Sequence, residues 1–170
     1  MPQRPARARI SIYGLLPIVM LKILRTTSDH PDFRQLVALL DQDLAVRDGA
    51  DHAFYAQFNT LNKISHAVLA FWENQPVGCG AIRAYDADAV EVKRMFVLPE
   101  YRGRGIASAV LSELEAWAAN LGCSRCILET GKNQPEAIAL YQKQRYAITP
   151  NYGQYVGVDN SVCMEKGIQK

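Results

Sequence analysis

The chain is expected to fold as a single α+β domain (mixed α/β), and three features of the sequence lead there. Its 170 residues suit one core, because single cores commonly stop growing only beyond about 250 residues. Strand-like segments joined by short turns crowd the first half, and a strand–helix–strand unit follows in the second. Hairpins succeeded by a crossover belong to one mixed sheet rather than to a doubly wound one. With 49% hydrophobic and 21% charged residues, the composition excludes the disordered and fibrous classes.

Residues 1–19, "MPQRPARARISIYGLLPIV", are read as an N-terminal extension that packs poorly, with the domain over residues 20–170. Arg4, Arg7 and Arg9 ahead of an apolar run imitate a secretory signal. Ser11, Tyr13, Gly14, Pro17 and Lys22 interrupt that run, and no small-residue cleavage site follows. The run is also too short for a membrane span, which needs about 20 apolar residues. Whether the extension is natural or Met20 is the true start stays open.

From Leu21 the elements follow in order. "LKILRTT" reads as a strand, and "SDHPDFRQLVALLDQDLAVRDG" as an amphipathic helix with Phe33, Leu36, Val37, Leu40 and Leu44 on one face and Gly49 as its stop. A short helix is expected in "DHAFYAQFN". Three strands lie between Ser65 and Val97, with "ENQP" and "YDAD" as turns. A helix from Arg104 to Leu121 ends at Gly122, then come the strand "RCILET", a helix from Pro135 to Gln144, and strands around "YAIT" and "SVCMEK".

A net charge of +2 gives no general pull toward nucleic acid or a membrane, so any electropositive site must be local. Lys93, Arg94, Arg102 and Arg104 supply one. The four cysteines have neither the density nor the spacing of a disulfide framework, which favours a cytoplasmic setting. Cys123 and Cys126 form a C-x-x-C, but a zinc ribbon needs a second pair and a redox motif should open a helix; they read as small packing residues at a strand start. His30, His52 and His66 lack ligand spacing, so no metal is expected.

The strand before the glycines slips in phase: Val90 and Val92 share one face, yet the apolar positions continue at Met95 and Val97. A β-bulge produces such a slip and frees backbone groups for a ligand. A strand end buried on both faces would look the same. Next, "EYRGRGIA" sets Gly103 and Gly105 where a strand hands over to a helix, so backbone amides can approach a ligand with no Cβ in the way. The helix start favours an anion by about 0.3–1 kcal/mol at exposed sites, and a phosphate or pyrophosphate suits it best.

The stretch "VKRMFVLPEYRGRGIASAVLSELEAWAANLG" resembles the acetyl-coenzyme-A-binding motif of the GNAT N-acetyltransferases, Q/R-x-x-G-x-G/A, through Arg102, Gly105 and Ala107. "NQPEAIALYQKQRY" is similar to that family's N-x-x-A-x-x-L-Y-x-x-x-G-F/Y. The resemblance implies the GNAT acyltransferase fold, a central, mostly antiparallel twisted sheet of six to seven strands flanked by helices, with acetyl-coenzyme A as cofactor. It implies that backbone groups of Met95, Phe96 and Val97 hold the pantetheine arm. Amides of Arg102, Gly103, Arg104, Gly105, Ile106 and Ala107 would hold the pyrophosphate.

By the same resemblance Tyr141 is a proton donor to the leaving thiolate and Glu91 a general base, the two roles that attack by a neutral amine requires. Taken singly, Tyr141 also suits a core aromatic and Glu91 a surface partner of Lys93. The sequence departs from the pattern twice. Gln134 replaces the usual asparagine, with Asn133 just before it, which leaves open which of the two reaches the cofactor. Arg145 replaces a helix-ending glycine.

Tyr55, Phe58 and Asn59 in the short helix, with Tyr152 and Tyr155 between the last strands, are expected to wall the acceptor site. Aromatic walls with few charges suit a small amine or an amino acid. The implied function is direct acetyl transfer from acetyl-coenzyme A to a primary amine of a small molecule. The alternatives are a lysine or N-terminal protein acetyltransferase and a non-catalytic coenzyme-A-binding sensor. A homodimer is compatible with either.

Overall fold

The alternation of apolar residues after Ile64 sends neighbouring side chains to opposite faces, and helices cover both. A computed structural model describes residues 21–61 and 64–168; the expected extension over residues 1–19 lies outside them. The strands are β1 (Leu21–Thr26), β2 (His66–Trp72), β3 (Gln75–Ala84), β4 (Ala89–Val97), β5 (Arg125–Gly131), β6 (Ala147–Thr149) and β7 (Ser161–Gly167). They form one sheet in the order β1-β2-β3-β4-β5-β7-β6. All pairs are antiparallel except β4 with β5, the crossover expected from the strand–helix–strand unit.

Among the described residues four α-helices accompany the sheet: α1 (Pro31–Asp48), α2 (His52–Ala56), α3 (Ile106–Asn120) and α4 (Pro135–Lys143). On one side Phe33, Leu36, Val37 and Leu40 of α1 pack with Ala67, Leu69, Cys79 and Phe96. On the other, Val110, Leu111 and Leu114 of α3 pack with Val68, Ala70, Ile82 and Val92. Each fully buried aliphatic or aromatic side chain contributes about 1.5–3 kcal/mol. Gly80 lets α3 approach, since a Cβ there would lie 2.9 Å from Val110 and Leu114.

Local signals explain the boundaries. His30 caps α1 by accepting from the Asp32 amide at 3.2 Å, with Pro31 in the first turn. Between β2 and β3, Glu73 and Asn74 both take positive φ (48° and 67°), the conformation that a tight hairpin demands. The helix expected over residues 51–59 is shorter: a 3-10 turn over Gly49–Asp51 leads into α2. Cys123 and Cys126 join the α3 side of the core, and burial pushes the Cys126 thiol up to about 12, with Glu115 adding to it.

The phase slip in β4 is a bulge. Cys79 pairs with Phe96 and Ala81 with Lys93, so Gly80 faces both Arg94 and Met95. Arg94 takes φ 59°, uncommon for a residue with a Cβ. Its side chain, 1% exposed, turns to α1 and donates to Asp41 Oδ1 at 2.5 Å and to the Val37 carbonyl at 3.4 Å. The strand is also buried along both faces, apart from a partly exposed Met95, so both sequence readings hold together.

Arg145 follows α4 at φ 71°, the position that favours glycine, and the Tyr146 amide closes the helix end on the Tyr141 carbonyl at 2.9 Å. The Arg145 side chain is exposed. Among the described residues its side chain makes no hydrogen bond or ion pair, so Arg145→Gly relieves left-handed strain, and we expect a gain of about 0.5–1 kcal/mol. A urea melt checks it, through a higher midpoint at unchanged slope.

Candidate active site

The site begins where two strands part. β4 and β5 pair only from Ala89 to Glu91 and from Arg125 to Ile127. Beyond that they separate, and a cleft of about 300 Å³ opens between them. Leu40 and Leu44 of α1 line one side, and Ala137, Leu140 and Tyr141 of α4 line the other. The bulge segment Met95, Phe96 and Val97 forms an edge, with Arg102 and Ala107 at the glycine-turn end.

Gly103 and Gly105 adopt φ 75° and 78°, which selects glycine at both, while a Cβ at either would meet nothing within 4 Å. The space above the turn is open. Gly105 caps α3 without any side-chain bond, and the first amide to find a helical acceptor is that of Ala109, on the Gly105 carbonyl. Among the described residues the amides of Gly103, Arg104, Gly105, Ile106 and Ala107 have no backbone acceptor. The Arg102 amide differs, since it bonds the Pro99 carbonyl at 3.3 Å.

Both arginine side chains are turned to the protein. Arg102 Nε donates to the Val97 carbonyl at 2.9 Å and its guanidinium lies over Phe96. Arg104 lies over Trp72 and Tyr101, 5.1 Å from each ring centre, and donates to the Glu100 carbonyl. The donors aimed outward are thus backbone amides at a helix start, with positive charge nearby, a cradle that fits a pyrophosphate.

Deeper in the cleft stand the ionisable groups. Tyr141 is 6% exposed, its ring edge-on to Tyr146, and burial, with Glu129 adding to it, raises its hydroxyl well above the ordinary range. Glu91 is 2% exposed and fully engaged. Its Oε1 accepts from Arg83 at 2.9 Å and lies 3.3 Å from Lys93 Nζ, while its Oε2 accepts from the Tyr152 hydroxyl at 2.6 Å.

Glu129, on β5, was missed by the sequence reading, and its one signal there was a lone acid inside the apolar "RCILET". Its Oε1 is buried and has no hydrogen-bond partner among the described residues. Burial pushes its carboxyl up to about 7; Glu91 and Asp48 add to that, against Ser161 and Lys93. It lines the same cleft as Tyr141. A carboxyl so poised can accept a proton near neutral pH.

The remaining candidates divide. Tyr55, Asn59 and Tyr155 line the cleft, as does Gln134. Phe58 stands behind, edge-on to Tyr155 and Phe54. Tyr152 reaches the site through its bond to Glu91. Asn133, the other residue that the sequence left open, turns away and donates to the Arg47 carbonyl at 3.3 Å. Ile106 points its side chain into the core and offers only its amide. Asn151 holds the tyrosine loop by donating to the carbonyls of Tyr155, Val158 and Ser161.

Comparison with known proteins agrees with this geometry. The family described as "Acetyltransferase (GNAT) family" matches residues 31–146. An "IAA acetyltransferase" of Azospirillum brasilense is 38% identical over 135 residues, covering 78% of this chain and 88% of that protein. The N-acetyltransferase YjgM of Escherichia coli K12, described as uncharacterized, is 36% identical over 128 residues, 69% of this chain and 75% of that one. A solved structure of a candidate acyl-CoA N-acyltransferase from Klebsiella pneumoniae superposes with TM-score 0.74 at 29% identity, covering 88% of this chain and 99% of that one.

Proposed function

The chain belongs to the GNAT acetyltransferase family, and from that premise we propose that it transfers acetyl from acetyl-coenzyme A directly to a primary amine of a small molecule. The observation that carries this reading is the parting of β4 and β5, which brings the free glycine-turn amides, the bulge, Tyr141 and Glu129 to one cleft. A neighbour from Elizabethkingia anophelis, with TM-score 0.64 at 19% identity over 87% of this chain and 98% of that one, was solved with acetyl-CoA bound. Tyr55, Asn59 and Tyr155 in the lining of the cleft suit a small acceptor. The buried, unbridged cysteines support a reducing, cytoplasmic setting; no helix among the described residues is long and apolar enough to cross a membrane.

In this mechanism the amides from Gly103 to Ala107 hold the pyrophosphate, and the backbone of Met95 to Val97 orients the pantetheine arm. Acetyl-coenzyme A supplies the activated acetyl group as a thioester. Glu129 Oε1 takes the proton of the attacking amine. Tyr141, kept protonated by burial, gives its proton to the departing thiolate. Glu91, its oxygens bound by Arg83, Lys93 and Tyr152, orders the wall between them and leaves the base role to Glu129. The discriminating experiment is thiol release from acetyl-coenzyme A with small amines against a lysine peptide and a free N-terminal peptide. Turnover confined to small amines is expected. Preferential use of either peptide assigns a protein acetyltransferase, and coenzyme-A binding without turnover of any acceptor assigns a sensor.

A further inference from the structure

The acceptor end of the cleft holds more carboxylates than cations can answer. Lys93 is spoken for by Glu91, and Arg94 by Asp41. Arg102 lies at the glycine-turn end, bonded to Val97. Asp43 and Glu136, which also line the cleft, share Arg47. Two carboxyls lining the cleft remain: Glu129, with its orphaned Oε1, and Asp48, the last residue of α1. Asp48 is 8% exposed, and among the described residues its side chain has no hydrogen bond or ion pair. Burying a carboxylate without a partner is costly, so a bound cation at this place recovers what folding gives up.

The surroundings favour a cation as well. Asp48 ends an 18-residue helix, whose C-terminus carries partial negative charge. Tyr55 and Tyr155 line the same end, and aromatic faces attract ammonium groups. Asp48 and Glu129 line the same cleft, and the charge of Asp48 adds to the upward shift of Glu129. His52 and Asp51 are the ionisable neighbours felt by Asp48 itself.

We propose that the acceptor is an aliphatic diamine or polyamine without a carboxylate, its reacting amine at Glu129 and its distal ammonium held by Asp48. This rests on the acetyl-transfer reading above and narrows its substrate class. An acceptor carrying a carboxylate would set like charge against both residues.

The test compares putrescine and spermidine with butylamine and γ-aminobutyrate on the full chain, measuring thiol release and, separately, calorimetric binding to the coenzyme-A complex. Putrescine or spermidine is expected to exceed butylamine in kcat/KM by about tenfold to a hundredfold, the value of one charge-assisted pair. γ-Aminobutyrate should be poorest. Asp48→Asn should erase that preference, lowering diamine kcat/KM and binding by the same factor, mainly through KM, with the butylamine value changed far less. Transfer at equal rates to butylamine and the diamines, or a preference for γ-aminobutyrate, overturns the cation site and leaves acetyl transfer standing. Diamine binding that depends on Asp48 without transfer to any amine would keep the site and overturn the acetyl-transfer reading. Absence of diamine binding overturns the site by itself.

Discussion

Glu129→Gln is expected to lower kcat/KM by about 10²–10⁴-fold, the usual worth of a positioned proton acceptor, with coenzyme-A affinity retained. The pH profile carries the sharper test. A free primary amine ionises near about 10.4, and Glu129 near 7. In the parent, kcat/KM rises steeply below pH 7, where both groups must lose a proton, and less steeply above it. The variant should keep only the shallower rise. Stability supplies an independent readout. The folded value lies above the 4.5 of an ordinary glutamate, so the folded chain holds the proton more tightly than the unfolded one. Stability is therefore lost as pH rises from about 4.5 through about 7. Glu129→Gln escapes that loss, and its Tm should exceed the parent's at pH 8 but not at pH 5. If Glu91→Gln removes the steep limb of the rate profile and Glu129→Gln does not, the base is Glu91.

Tyr141→Phe is expected to lower kcat by about 10²–10⁴-fold with the acceptor KM roughly kept, since a proton given to the leaving thiolate acts in the chemical step. The change removes one hydroxyl and keeps the ring that packs against Tyr146. Folding should therefore be spared, and a Tm within a few degrees of the parent's separates lost chemistry from lost structure. Acetyl donors whose thiol leaves more readily should be the least affected: replacing acetyl-coenzyme A by an acetyl thioester of lower thiol pKa should restore part of the rate. A variant that turns over at the parent rate makes Tyr141 a packing residue.

The outline of this protein was legible because its signals are local. Two glycines at a strand–helix junction, a one-residue slip in apolar phase and a Pro-led helix start are each written within a few consecutive residues. The bulge appears as the phase slip indicated, with an extra residue opposite Gly80, and the glycine turn leaves its amides free, while the left-handed φ of Gly103 and Gly105 is added by the structure. Tyr141 and Gln134 reach the cleft from the second motif for the same reason, since a helix of known start fixes which side chains share a face.

What the sequence by itself determined is therefore the mixed sheet, the order of its elements, the amide cradle at the start of α3 and the family to which these belong. Only the tertiary structure decided which carboxyl stands free. Glu91 meets Arg83 and Lys93 on neighbouring strand positions, but its second oxygen is claimed by Tyr152 from 61 residues away. Asp48 and Glu129, far apart in the chain, end in one cleft because β4 and β5 stop pairing after Glu91 and Ile127. Arg102 and Arg104 are drawn back onto Phe96, Trp72 and Tyr101. Desolvation and pairing are set by everything that surrounds a group in space, whereas turn geometry and periodicity are set by the residues beside it in the chain.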